Sequence, residues 1–198
     1  MSDDQFYPLD ENGVLVADNE VDFVDTWKRL EELYRRGKVK AIGVSNFNAA
    51  QLQRILDSCE IRPMVNQIEA HVYFQNRDLI TFCKRNDIQV SAFAPLASPR
   101  VCTPDYLLKD DKTMQNLAEK HGKTWAQIAL RFLTQQGIVV LPAAADEAQL
   151  VENLDCNSFD LGDDEMRLLS SLDKRKRVYT HAYVKGYVHG LKIGINNR

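Results

Sequence analysis

The chain has 198 residues, 44% hydrophobic and 27% charged, enough apolar material for a packed core and too ordinary a mixture for a disordered or fibrous protein. A formal net charge of -3 and a pI near 5.8 leave no broad basic face, so a nucleic-acid partner is not expected. With no run of about 18 apolar residues and no charged-then-apolar leader, the expectation is a cytoplasmic protein without membrane contact.

In chain order, Val24, Trp27, Leu30 and Tyr34 form an apolar stripe at helical spacing, and Gly37 is placed to stop that helix. The run Val39 to Val44 reads as a first strand. A second helix follows on Leu52, Ile55, Leu56 and Cys59, with Asn48 as N-cap and Gln51 as its reciprocal partner. Met64 to Glu69 reads as the next strand, Leu79, Ile80 and Cys83 mark a third helix, and Gln89 to Ala94 a third strand.

Pro95, Pro99 and Pro104 break the rhythm, so 95–112 reads as a long loop. Thr124 with Gln127 caps a helix through Ile128 to Phe132, Gly137 to Leu141 is the last strand, and Asp146 with Gln149 caps a helix through Leu150 to Leu154. Asp163 to Leu172 closes the ordered pattern. A basic run, Lys174 to Arg177, leads into a divergent tail, 178–198, in which Tyr179, Tyr183 and Tyr187 recur every four residues. Short β-rich runs alternating with helices predict an α/β fold: about four parallel strands with crossover helices.

The cysteines, Cys59, Cys83, Cys102 and Cys156, lie far apart without a C-x-x-C pair, so idle thiols are expected rather than a metal or redox site. Polar residues gather at the strand ends: Ser45 and Asn46 after KAIGV, Asn66 and Gln67 within MVNQIE, then Glu69 and His71. In parallel sheets ligands meet the carboxyl ends of the strands, which makes these groups candidates for hydrogen bonds to a flat, amide-bearing ligand. For any one of them a capping or turn duty is the commoner role, Ser45 and Asn46 capping the next helix and Gln67 satisfying neighbouring backbone. His71 reads as a structural hydrogen-bonder, since no partner at metal-ligand spacing accompanies it.

Taken in order, VKAIGVSNFN, VNQIEAHVYF, SAFAPLASP and LVENLD resemble the aldo-keto reductase family, in the branch that includes aldose reductases. The resemblance runs from about Phe6 to about Leu172 and implies the C-terminal half of a (β/α)8 TIM barrel, a single partial domain over 1–198. It implies binding of NADPH at the strand ends, with Ser45, Asn46 and Gln67 on the nicotinamide carboxamide and Phe93 stacked on the ring in place of the usual tyrosine. Leu96 and Ser98, in the loop Ala94 to Ser98, would meet the pyrophosphate, and Glu152 and Asn153 the adenine. Ala94 replaces a common serine.

Two departures qualify the transfer of NAD(P)H-dependent carbonyl reduction. The family's catalytic aspartate, tyrosine, lysine and histidine come from its first four strands, and no residue here matches any of them. Without the proton donor, general acid catalysis worth ~10²–10⁴-fold is missing, so this chain alone is expected to be weak or inactive. A non-catalytic dinucleotide- or partner-binding remnant is the alternative. Second, the family's cationic clamp on the 2′-phosphate is replaced by Ala143, Ala144 and Gln149, with Asp146 and Glu147 close by. NADH, or no dinucleotide, is therefore favoured over NADPH. An uncovered half-barrel implies self-association, a separate N-terminal half-barrel as partner, or the tail rearranged over the open face, alongside a small carbonyl compound.

Overall fold

The structure, a computed structural model, describes residues 21–99 and 107–179. It divides into two compact units. One comprises Gly43–Asn46 with Met64–Val178, and the other the described parts of Met1–Ile42, Phe47–Pro63 and Tyr179–Arg198.

The second unit is helical. Helix α1, Phe23–Arg35, starts where the Asp22 carboxylate accepts the Val24 N–H at 2.8 Å. It ends at Gly37, whose φ of +66° suits a residue without a Cβ. Trp27 is buried, its indole donating to Ile61 O at 3.0 Å, and the buried Glu31 carboxylate accepts the N–H groups of Glu60 and Ile61, each at 2.8 Å. Helix α2, Ala49–Leu56, has the full reciprocal cap: Asn48 Oδ1 accepts from Gln51 N at 2.8 Å and Gln51 Oε1 from Asn48 N at 3.0 Å.

The first unit is built on four parallel strands in the order β1 (Gly43–Ser45), β2 (Val65–Glu69), β3 (Gln89–Phe93), β4 (Val139–Leu141). Strand β1 is shorter than Val39 to Val44 because β2 begins at Val65, leaving residues before Gly43 nothing to pair with. Ala94, at φ +50°, leaves the ladder and ends β3 one residue early. Gly43 lies so close to β2 that a Cβ there would sit 2.6 Å from Val65 O. No other residue fits without moving a strand.

Helices α3 (Arg77–Arg85), α4 (Lys112–His121), α5 (Trp125–Thr134), α6 (Glu147–Leu154) and α7 (Asp163–Ser171) complete this unit. Helix α3 packs on β3, α5 on β4 and on α4, and α7 on α4. Ile68, Val90, Ala92, Ile128, Leu130 and Phe132 are buried in its core. The 95–112 loop is less extended than the sequence pattern indicates: Leu108–Asp110 form a 3-10 turn, and the Asp111 side chain caps α4 through Thr113 N at 2.8 Å and Met114 N at 3.3 Å. Tyr183, Tyr187 and Cys102 lie outside the described residues.

Candidate functional site

Parallel register sets the site. Ser45 lies opposite Gln67, Gln67 opposite Ser91 and Ser91 opposite Val139, so one row crosses all four strands. One step of the pleat further on, Glu69, Phe93 and Leu141 form the next row. Asn66, by contrast, turns to the helix layer, its Nδ2 4.0 Å from Cys83 Sγ, so the Ser45 row occupies the opposite face. On that opposite face Val139 and Leu141 are exposed large apolar side chains.

Ser45, Asn46 and Gln67 are brought together where the carboxyl end of β1 lies opposite the middle of β2. Gln67 O accepts both the Asn46 N–H at 2.8 Å and the Ser45 hydroxyl at 3.1 Å. Asn46 Nδ2 donates to Ser45 Oγ at 3.2 Å. The backbone of Asn46 is left-handed, φ +59°, and its Oδ1 is shut from solvent with no donor among the described residues. An orphaned amide acceptor costs about 1–3 kcal/mol, so this oxygen is one that a ligand N–H could satisfy. Asn46 does not cap α2; Asn48 does.

Phe93 ends β3 half-buried, and Ala94, Ala97 and Ser98 follow with φ of +50°, +56° and +44°. Three non-glycine residues in the left-handed region within five positions represent strain of about 1 kcal/mol or more each, the kind of backbone found at ligand clamps. Leu96 and Ser98 are half-buried in this turn, which Ala97 N closes on Ala94 O at 2.9 Å.

Glu152 and Asn153 sit on α6, where the hydrogen bonds of Glu152 run to α5. Its carboxylate accepts from Thr124 Oγ1 at 2.6 Å and its carbonyl from Gln127 Nε2 at 3.1 Å. At the start of α6, Asp146 Oδ1 accepts from Gln149 N at 2.9 Å, as the sequence pattern indicates. The reciprocal bond goes elsewhere: Gln149 Oε1 accepts from Ala145 N at 2.9 Å. The N–H that would greet an anion is therefore taken by the chain's own side chain.

His71 is fully buried with Nε2 3.1 Å from Glu69 Oε1, in the structural role its surroundings indicate. Cys59, Cys83 and Cys156 are free, and burial pushes each thiol above its ordinary value, which makes them poor nucleophiles. In the Lys174 to Arg177 run, Lys174, Arg175 and Lys176 are exposed and Arg177 is half-buried, and two of the four cations lie over aromatic rings. Lys174 Nζ lies 3.6 Å from the centre of the Tyr73 ring and the Arg177 guanidinium 5.2 Å from that of Phe74. Sequence spacing gave no sign of these contacts, which join residues about a hundred positions apart.

The described residues contain no helix long and apolar enough to cross a membrane. Residues 14–174 match the model of the Aldo/keto reductase family. The chain is 43% identical over 156 residues to the 9,11-endoperoxide prostaglandin H2 reductase of Trypanosoma cruzi, covering 79% of this chain and 54% of the relative. It is 39% identical over 156 residues to the glyoxal reductase of Bacillus subtilis, with the same coverage. Among solved structures, the aldose reductase of Schistosoma japonicum superposes with a TM-score of 0.82 at 35% identity, over 90% of this chain and 56% of that one. The chain thus spans about half the length of the relatives it matches. Its four parallel strands and crossover helices have the architecture of the (β/α)8 barrel of those reductases, and the chain belongs to the aldo/keto reductase family.

Proposed function

We propose that this chain carries the dinucleotide-binding side of a carbonyl-reducing oxidoreductase. Ser45, Asn46 and Gln67 hold the carboxamide of the nicotinamide, Phe93 faces its ring, Leu96 and Ser98 meet the pyrophosphate, and Glu152 and Asn153 read the adenine. The observation that carries this reading is the buried Oδ1 of Asn46, without a donor among the described residues, beside Ser45 Oγ and the carbonyl of Gln67. A carboxamide N–H is the partner that oxygen lacks. Once bound, the nicotinamide supplies the hydride for reduction of an aldehyde or ketone; the residues of this chain orient its carboxamide and keep water from Asn46.

NADH is the preferred form. Ala143 and Ala144 offer no charge, Gln149 is committed to Ala145 N, and Asp146 and Glu147 stand where a 2′-phosphate would need cations. With no residue of the chain assigned as proton donor, turnover by this chain alone is weak or absent. A purely dinucleotide- or partner-binding role is the second reading. It is favoured by Val139 and Leu141, 48% and 46% exposed on β4, and by Leu150, Val151 and Leu154 exposed on α6. Those residues suit a second copy or a separate half-barrel. The free, burial-shielded thiols fit a reducing, cytoplasmic setting.

Titration with NADH and with NADPH, followed by nucleotide fluorescence, tests the cofactor reading. Saturable NADH binding tighter than NADPH is the expected result, and no binding of either at millimolar concentration overturns it.

A further inference from the structure

The carboxyl end of β2 carries a charged group that the nucleotide reading does not use. Glu69 is fully buried at the last position of that strand, in register with Phe93 and two residues past Gln67. Its Oε1 accepts the Val178 N–H at 2.6 Å and lies 3.1 Å from His71 Nε2. Burial pushes the Arg177 guanidinium below its ordinary value, and the charge of Glu69 pushes it back up, so the two charges feel each other. A buried carboxylate is tolerated only with such compensation.

The chain that brings Val178 to Glu69 is held almost wholly by polar contacts to the β2–α3 connection. Lys174 N donates to Tyr73 O at 2.8 Å, and the Lys174 ammonium covers the Tyr73 ring. Asp173 Oδ1 accepts from Arg175 N at 3.0 Å and from Gln75 N at 3.4 Å. Lys174, Arg175 and Lys176 are exposed, whereas α7 behind them is anchored by the fully buried Leu169. A segment held chiefly by charged and polar contacts, at Asp173, Lys174, Arg177 and Val178, with its middle residues exposed, has lower local stability than the packed core.

We infer that Glu69 is a latch: its carboxylate holds Asp173–Val178 as a strap across the carboxyl end of β2, and the strap opens as a unit while the sheet stays folded. Because Glu69 shares its row with Phe93 and lies two residues past Gln67 on β2, closure of the strap and fixation of Gln67 and Phe93 are linked. Nucleotide at those residues favours the closed strap; this linkage, unlike the latch, rests on the nucleotide reading above.

Amide hydrogen exchange on the whole chain and on Glu69→Gln tests the latch. The amides of Lys174, Arg175 and Val178 should exchange at least about tenfold faster in the variant, the worth of a lost hydrogen bond to a charge. Those of Ile68 and Ala92 should hold their rates. Equal acceleration of strap and strand amides, or no acceleration of the strap, overturns the latch. If Glu69→Gln does not fold, Val178→Pro removes the donor and leaves the carboxylate, and Lys174 and Arg175 are read by the same criterion. Saturating NADH should slow strap exchange in the parent chain and have less effect in Glu69→Gln; an equal effect in both overturns the linkage. Failure of NADH to bind overturns the nucleotide reading and the linkage, while the latch is decided by the nucleotide-free rates.

Discussion

Gln149 Oε1 accepts the Ala145 N–H at 2.9 Å, so the exposed donor next to the Asp146 cap of α6 is already satisfied from within the chain. A 2′-phosphate would have to displace that amide and face the carboxylates of Asp146 and Glu147. Restoring cations should reverse the preference: Ala143→Lys with Gln149→Arg frees Ala145 N and adds charge-assisted hydrogen bonds worth about 1.5–3 kcal/mol each. The ratio of NADPH to NADH affinity should rise about tenfold or more, read by fluorescence titration at fixed ionic strength. An unchanged ratio would show that the phosphate does not approach α6.

Asn46→Gly keeps the left-handed backbone, φ +59°, and removes only the side chain. Loss of the carboxamide acceptor should weaken NADH binding by roughly 1–3 kcal/mol, about 5- to 150-fold. Stability should stay within about 1 kcal/mol, because the deleted Oδ1 has no donor among the described residues to lose. Calorimetric titration and urea unfolding read the two effects separately, and a large loss of stability with unchanged affinity would make Asn46 a structural residue.

Gly43→Ala forces a Cβ to within 2.6 Å of Val65 O. Relief requires β1 and β2 to separate, so unfolding should be easier by about 1–3 kcal/mol, the usual cost of overpacking. A shift of the urea midpoint at constant slope would register it.

The α4–α7 contact should carry an acid-dependent term. Burial raises the Glu165 carboxyl, but hydrogen bonds from Lys120 at 2.7 Å and Gly162 N at 2.8 Å, with His121 at 2.9 Å, outweigh it and hold it at about 2 against an ordinary 4.5. A depressed carboxyl stabilises the fold above the unfolded value and loses that contribution as pH falls toward the folded one. Glu165→Gln should therefore be less stable than the parent by about 1–3 kcal/mol at pH 7, with the gap closing between about pH 4.5 and pH 2. Unfolding curves of both proteins across that range check it.

Features written in neighbouring residues were legible in the sequence. Gly37 stops α1, Asn48 and Gln51 cap each other, and KAIGVSN and MVNQIE give strands with polar ends because each depends on spacing of a few positions. Helix α4 escaped because its N-cap, Asp111, lies inside the 95–112 stretch that the prolines mark as loop. The partners of Glu69 and Tyr73 escaped for a different reason. Val178 and Lys174 reach them across about a hundred residues, a distance over which composition carries no pairing information. At Asp146 the cap was legible, but the competing donor, Ala145 N, was not, since both alternatives have the same residues in the same order.

The tight approach of Gly43 to Val65 also has a meaning for how the chain finds its pairing. Side chains on a strand alternate between faces, so a slip of β1 by one residue would send Ser45 to the helix layer and present Val44 in its place. Such a slip would bring Ile42 or Val44 against Val65 O, and neither could be accommodated there. The missing methyl acts as a keyhole that admits one alignment, and thereby fixes which residues of β1 and β2 stand side by side, Ser45 beside Gln67 among them.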